Sequence, residues 1–243
     1  MFYMLSADRI KELNEFINKM NIKKTDLMLL NLALTHPSFN FERSIDTNED
    51  YERLEFLGDS VLRLVMSDYL FEKYPNFDEG KLTKIRSYLV SDEFLFKIAI
   101  KIGLNKYLNI GVHEEKDGGR DKQSIVACAT EATFGAVYKS LSFEKAKIFI
   151  LNLYKKMDFD IHEILYMYNS KEILQQYTQS LNKDLPEYKL ISETGEAHNK
   201  TYSVLVEYHG EELGRGSAKT KKEAEKIAAF NAVKKLKISE EVL

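Results

Sequence analysis

Tyr51 to Leu62 reads YERLEFLGDSVL, and the spacing of its acids constrains the chain more than any bulk property does. Glu52, Glu55 and Asp59 recur at i, i+3 and i+7 among apolar residues. At about 100° per residue the three carboxylates fall within an arc of roughly 60°, while Leu54, Leu57, Val61, Leu64 and Val65 gather on the other side. The spacing predicts a helix over Asp50 to Tyr74 that buries one face and offers hard oxygen ligands on the other. Two residues break the amphipathic pattern. Phe56 projects near the acidic edge, as a knob for a partner would. Gly58 costs helix stability, and its missing side chain admits close approach of another backbone. Periodicity alone leaves two readings open, a solvated acidic face and a set of cation ligands.

The surrounding chain falls into two textures. Up to about residue 157 apolar residues recur at helical spacing, in Ala7 to Met20, Thr25 to Leu34, Lys81 to Val90, Asp92 to Ile102, Lys122 to Leu141 and Phe143 to Met157, with no strand-like alternation. After residue 170 the order is α-β-β-β-α: a helix over Lys171 to Leu181, strands over Glu187 to Glu193, Thr201 to His209 and Glu211 to Ala218, and an alanine-rich helix over Lys221 to Leu236. Between them, DFDIHEILYMYNS lacks clear periodicity and reads as a tether or a frayed helix end. The expected division is 1–158, a linker at 159–168, and a second domain at 169–238.

Two further segments carry acids. DEGKLTKIRSYLV, from Asp78, places Asp78 and Glu79 where carboxylates ordinarily favour a helix amino terminus. In Gly111 to Tyr138 a glycine-containing charged loop precedes a helix of small residues, with Cys128 and Glu131 at i and i+3.

YERLEFLGDSVL resembles the signature of the ribonuclease III family, usually NERLEFLGD followed by a small residue and two apolar ones, with Tyr51 in place of asparagine. The acid-Gly pair at Glu79 and Gly80, followed by an arginine and Leu-Val, resembles a second family element. SIVACATEA resembles a third, typically S-I-L-A-D-x-x-E-A, with Cys128 where the family has aspartate. The resemblance implies a metal site whose first ligands are Glu55, Asp59, Glu131 and the position of Cys128, with Asp59 and Glu131 catalytic and Glu52 and Glu79 accessory. The ion it implies is Mg²⁺, with Mn²⁺ a substitute. A thiol is a poor ligand for such hard ions, and a free cysteine is mostly neutral at pH 7. Weaker metal binding or slower turnover is the expectation. Recruitment of a softer ion by one sulfur among carboxylates is disfavoured, and Cys128 as a packing residue is the plainer alternative.

The carboxy-terminal part resembles a double-stranded-RNA-binding domain, through LQQYTQ, GEAHNKTYSV and GRGSAKTKKEAEKIAAFNAVKKL. Gln175 and Gln179 share a helix face suited to ribose hydroxyls and base edges in a shallow minor groove. His198 and Lys200 lie in a hairpin-like loop. Lys219, Lys221 and Lys222 flank a helix amino terminus, where backbone N–H groups add to their attraction for phosphate. Residues 170–243 carry twelve basic and twelve acidic side chains, so binding relies on geometry as well as charge.

Bulk properties fit these expectations. With 243 residues, 44% hydrophobic and 30% charged, the chain can bury a core and stay soluble. A net charge of −3 gives no global attraction to nucleic acid. One cysteine excludes an intramolecular disulfide framework and points to a reducing, cytoplasmic compartment. The amino terminus reads as neither signal peptide nor membrane span. The fold expected is an all-α ribonuclease III endonuclease domain followed by an α+β double-stranded-RNA-binding domain. The resemblance implies a homodimer, with Phe56 at the symmetric contact, that cuts both strands of duplex RNA and leaves 5′-phosphates and short 3′ overhangs in the processing of ribosomal and other structured transcripts. A non-cleaving homodimer that binds duplex RNA is the alternative raised by Cys128.

Overall fold

The computed structural model of the chain describes residues 5–44, 49–195 and 200–238. It divides into two compact units, 1–158 and 159–243. The first carries helices α1 (Ala7–Met20), α2 (Leu27–Ala33), α3 (Pro37–Phe41), α4 (Glu52–Lys73), α5 (Glu79–Leu89), α6 (Asp92–Ile102), α7 (Val112–Lys116), α8 (Gln123–Ser140) and α9 (Phe143–Tyr154). The second carries α10 (Ile161–Asn182), β1 (Glu187–Thr194), β2 (Thr201–Tyr208), β3 (Glu211–Ala218) and α11 (Lys221–Leu236).

In the first unit α8 is the axis. Ile125, Val126, Ala129, Ala132, Phe134, Ala136 and Val137 are all buried, so the helix is apolar nearly all round and must be enclosed. Helices α2, α4, α6 and α9 enclose it. The starts of α2, α5, α6 and α9 are set locally: Asp26, Asp78, Ser91 and Ser142 each cap one of them by accepting a backbone N–H from the first turn. The capped start of α5 at Glu79 lies two residues before the Lys81 expected from periodicity.

The second unit is a three-stranded antiparallel sheet in the order β1-β2-β3, with α10 and α11 packed together and α11 laid on β2 and β3. Backbone approach sets that last contact. A Cβ at Gly214 would lie 2.5 Å from the Ala228 carbonyl oxygen, and one at Gly216 would lie 2.3 Å from that of Ala224. The alanines of α11 are what let the helix descend onto glycines of β3.

The expected linker at 159–168 is largely helix. α10 starts at Ile161, capped by the Asp160 carboxylate accepting from the His162 N–H at 2.8 Å, and buries Ile164 and Leu165. Ile161, Ile164, Leu165 and Tyr168 do recur at i, i+3, i+4 and i+7, but the intervening Tyr166 and Met167 hide the stripe. Tyr166 is amphipathic, packing against the core while its hydroxyl donates to the Ile238 carbonyl at 2.5 Å. Leu64 is a second correction. It belongs by periodicity to the buried stripe of α4 but is 56% exposed.

Candidate active site

The carboxylates meet because α4 and α8 touch backbone to backbone. A Cβ built on Gly58 would sit 1.7 Å from the Glu131 carbonyl oxygen, and one on Gly135 would sit 2.4 Å from that of Leu54. Each helix supplies one glycine to the crossing. Glu55 and Asp59 flank Gly58 on α4, and Cys128 and Glu131 lie one to two turns before Gly135 on α8. Thus the residue whose carboxylate enters the site also provides the carbonyl against which the other helix rests.

All four of these side chains are half-buried. Burial raises the Glu131 carboxyl to about 8, reinforced by the nearby charges of Asp59, Glu55 and Asp92 and opposed by Arg63. Burial also raises Glu55; the Cys128 thiol, facing it as a donor, offsets part of that rise, while Glu52, Asp92 and Asp59 add to it. Cys128 is held firmly as a thiol, by burial first and by Glu55 and Glu131 next. A carboxyl that resists ionisation among other carboxylates is the signature of a site short of positive charge. Three hard oxygen donors, Glu55, Asp59 and Glu131, suit a hard divalent ion, and the neutral thiol does not. Among the described residues no three His, Cys, Asp or Glu side chains are arranged as a finished metal cage. Asp59 is already paired, with both carboxylate oxygens 2.8 Å from Nε of Arg63.

The other acids are placed differently. Glu52 is exposed at the first residue of α4 and acts on Glu55 through its charge. Glu79 opens α5, accepts from Thr83 Oγ1 at 3.0 Å, and lines a groove of about 590 Å³ with Leu64, Phe71, Phe77 and Leu82. Sequence reasoning missed Asp92 and Arg63. Asp92 lies in the first turn of α6, where an acid after a serine cap passes for helix-start chemistry. Arg63, one turn after Asp59, passes for an ordinary surface cation.

In the second unit Gln175 and Gln179 are exposed on α10, four residues apart. Lys219, Lys221 and Lys222 are exposed about the start of α11, whose cap is Thr220, its Oγ1 accepting from the Glu223 N–H at 3.2 Å. Lys221 also lies 5.5 Å above the Tyr202 ring. Lys200 is tied to Glu193. His198 lies outside the described residues.

Residues 26–157 match the family model for ribonuclease-III-like domains, and residues 170–236 match that for the double-stranded RNA binding motif. The chain belongs to the ribonuclease III family. It is 41% identical to ribonuclease 3 of Natranaerobius thermophilus over 226 residues, covering 93% of this chain and 97% of that protein. Ribonuclease 3 of Borreliella burgdorferi is also 41% identical, over 239 residues, covering 96% and 94%. Among solved structures, the nuclease domain of ribonuclease III from Campylobacter jejuni has 38% identity and a TM-score of 0.56, covering 62% of this chain and 99% of that domain. A second structure of that nuclease domain, described for flexibility in its dimer-forming region, has 39% identity and a TM-score of 0.55, covering 59% and 96%.

Proposed function

We infer that this ribonuclease III family chain is a divalent-metal-dependent endoribonuclease of double-stranded RNA. It hydrolyses phosphodiester bonds to leave 5′-phosphates and short 3′ overhangs, and its work is the processing of ribosomal and other structured transcripts. The observation that supports this reading is the Gly58–Gly135 crossing, which brings α4, the helix of Glu55 and Asp59, against α8, the helix of Glu131, in a helical unit joined in one chain to a duplex-RNA module. Glu55, Asp59 and Glu131 would hold Mg²⁺, or Mn²⁺ in its place. When bound, such an ion lowers the pKa of a coordinated water and neutralises charge on the attacked phosphate. Asp59 and Glu131 orient that chemistry from opposing helices, Glu52 extends the acidic rim, and Cys128 fills the fourth position as a neutral thiol.

Residues 1–158 serve as nuclease and dimerisation domain. Phe56 is 78% exposed, and on the same broad side of α4 the exposed Leu64 and Phe71 border the groove that Glu79 lines. A two-fold axis across α4 seats each Phe56 in the partner's groove, an isologous contact, and brings each Glu79 into the interface. Residues 169–238 bind the duplex. Gln175 and Gln179 read one minor groove, Lys200 and His198 reach the next, and Lys219, Lys221 and Lys222 hold the phosphates between them. Among the described residues no helix is long and apolar enough to cross a membrane. The single cysteine suits the cytoplasm.

The test is cleavage of a long perfect RNA duplex in Mg²⁺ and in Mn²⁺. Wild type is expected to cleave, and Asp59→Asn and Glu131→Gln to abolish cleavage. Absence of wild-type cleavage in both metals, with cleavage appearing in Cys128→Asp, overturns this reading in favour of a non-cleaving binder.

A further inference from the structure

Asp59 is indispensable to the site proposed above, yet its carboxylate is already engaged. Nε of Arg63 stands 2.8 Å from each of its two oxygens, one helical turn along α4. Arg63 is half-exposed and Asp59 a third exposed. The guanidinium therefore sits at the mouth of the acidic cluster rather than inside it, and its charge is also felt by Glu131.

We propose that Arg63 is a positioning residue: it is the internal counter-cation of Asp59 and competes with the divalent ion for that carboxylate. The inference rests on the reading of Glu55, Asp59 and Glu131 as the metal ligands. Its physical basis is exclusion. A carboxylate whose oxygens both face one guanidinium N–H has to turn before it can ligate. A positive charge held one turn away also repels a second cation at the same oxygens.

The magnitude decides what kind of device this is. An exposed i,i+4 pair is worth only about a factor of two in an equilibrium constant. Arg63 therefore cannot lock the site shut. It sets the free ion concentration at which the site fills, and in its absence the carboxylate cluster carries its full repulsion. A bound divalent ion, with twice the charge, would take the place of Arg63 at the Asp59 carboxylate and leave the guanidinium free at the mouth of the cluster, able to donate to an anion.

Calorimetric titration of the full-length protein with Mn²⁺ alone, without RNA, tests this directly. Arg63→Ala is expected to bind Mn²⁺ roughly 3- to 30-fold more tightly than wild type, the sum of a weak lost pair and a lost like charge. Arg63→Lys, which keeps the charge, is expected to remain near wild type. In an Asp59→Asn background the Arg63→Ala effect is expected to shrink by the roughly twofold share that runs through the pair, while the like-charge share remains. Circular dichroism melting checks that each variant is folded; a merely structural role would move the melt and leave the Mn²⁺ isotherm unchanged. Mn²⁺ binding by Arg63→Ala that equals or falls below wild type overturns the proposal while leaving the metal site standing. Absence of Mn²⁺ binding in wild type and Arg63→Ala alike overturns both.

Discussion

Gly58→Ala adds one methyl group and removes no ligand, yet it is expected to disable the enzyme. The new Cβ would lie 1.7 Å from the Glu131 carbonyl oxygen, 2.5 Å from its carbonyl carbon and 3.0 Å from the Gly135 nitrogen. A carbon and a carbonyl oxygen need roughly 3.3 Å even in their closest favourable contacts, so α4 and α8 must separate by about 1.5 Å. All three atoms are backbone, and no side chain can swing clear. Alanine is the better helix former by about 1 kcal/mol, whereas overpacking a core contact costs about 1–3 kcal/mol or more. An open crossing therefore predicts stabilisation, and the crossing described here predicts net loss. Because the displaced carbonyl belongs to Glu131, its carboxylate moves with it away from Glu55 and Asp59. A misplacement of about 1 Å in a catalytic array costs on the order of 100-fold in rate. The assay is single-turnover cleavage of a duplex RNA beside a thermal melt. Gly80→Ala is the control, since its Cβ meets only the Asp78 side chain, at 3.3 Å, in the first turn of α5. A Gly58→Ala protein with wild-type cleavage and an unchanged or raised melting temperature would falsify the argument.

Three further outcomes are expected. Glu131 holds its proton up to about pH 8 in the folded state, against a reference near 4.5. The contribution of Glu131 to stability without metal is therefore fully present below pH 4.5 and is lost as pH rises toward 8, because at this group the folded state binds more protons than the unfolded one. In EDTA, Glu131→Gln should be more stable than wild type by a margin that widens from pH 5 to pH 9, with a ceiling of about 5 kcal/mol; urea melts showing a constant margin would remove the basis for it. Lys221→Ala with Lys222→Ala should weaken duplex-RNA binding and lower the salt slope by about one unit per lysine, with little change across RNA sequences. Filter binding over a salt series measures this, and an unaltered slope would mean these lysines do not meet phosphate. Phe56→Asp should shift the protein from dimer to monomer in sedimentation at micromolar concentration, since a carboxylate forfeits the apolar contact that Leu64, Phe71, Phe77 and Leu82 offer in the proposed groove; a dimer of unchanged affinity would place the interface elsewhere.

The acidic helix, the three strands and the alanine-rich last helix were legible because each carries a clean period. What was not legible depended on contacts between distant residues. Leu64 reads as core by spacing, but it lines an open groove beside α5 and stays exposed. The first turns of α10 read as a tether because Tyr166 interrupts the stripe, packing by its ring while its hydroxyl donates to the Ile238 carbonyl, which no hydropathy pattern separates. The site divides the same way. The glycine at position 58 announced a close approach, but not that the approaching backbone belongs to Glu131. Asp92 and Arg63 each have an ordinary local explanation, as helix-start acid and surface cation, and only the packing of α6 and α4 around α8 gives them a second role.

Cys128 and Arg63 act on the acidic cluster in the same direction. An aspartate at 128 would place another carboxylate beside Glu55 and Glu131, where burial already disfavours charge; the thiol removes that repulsion and serves Glu55 as a donor. Arg63 satisfies Asp59 from the other side. Two of the three remaining carboxylates are thereby compensated by the protein itself, and the metal-free fold is relieved of strain that a four-carboxylate cluster would impose. At the proposed metal site the same contacts would oppose ion entry, because each would be given up when the carboxylates turned to ligate. Stability without metal and affinity for metal are thus set against each other at two positions, 128 and 63. The thiol can only be exchanged by mutation, whereas the guanidinium can leave on its own, so of the two only Arg63 lets one sequence hold both a stable empty site and a filled one.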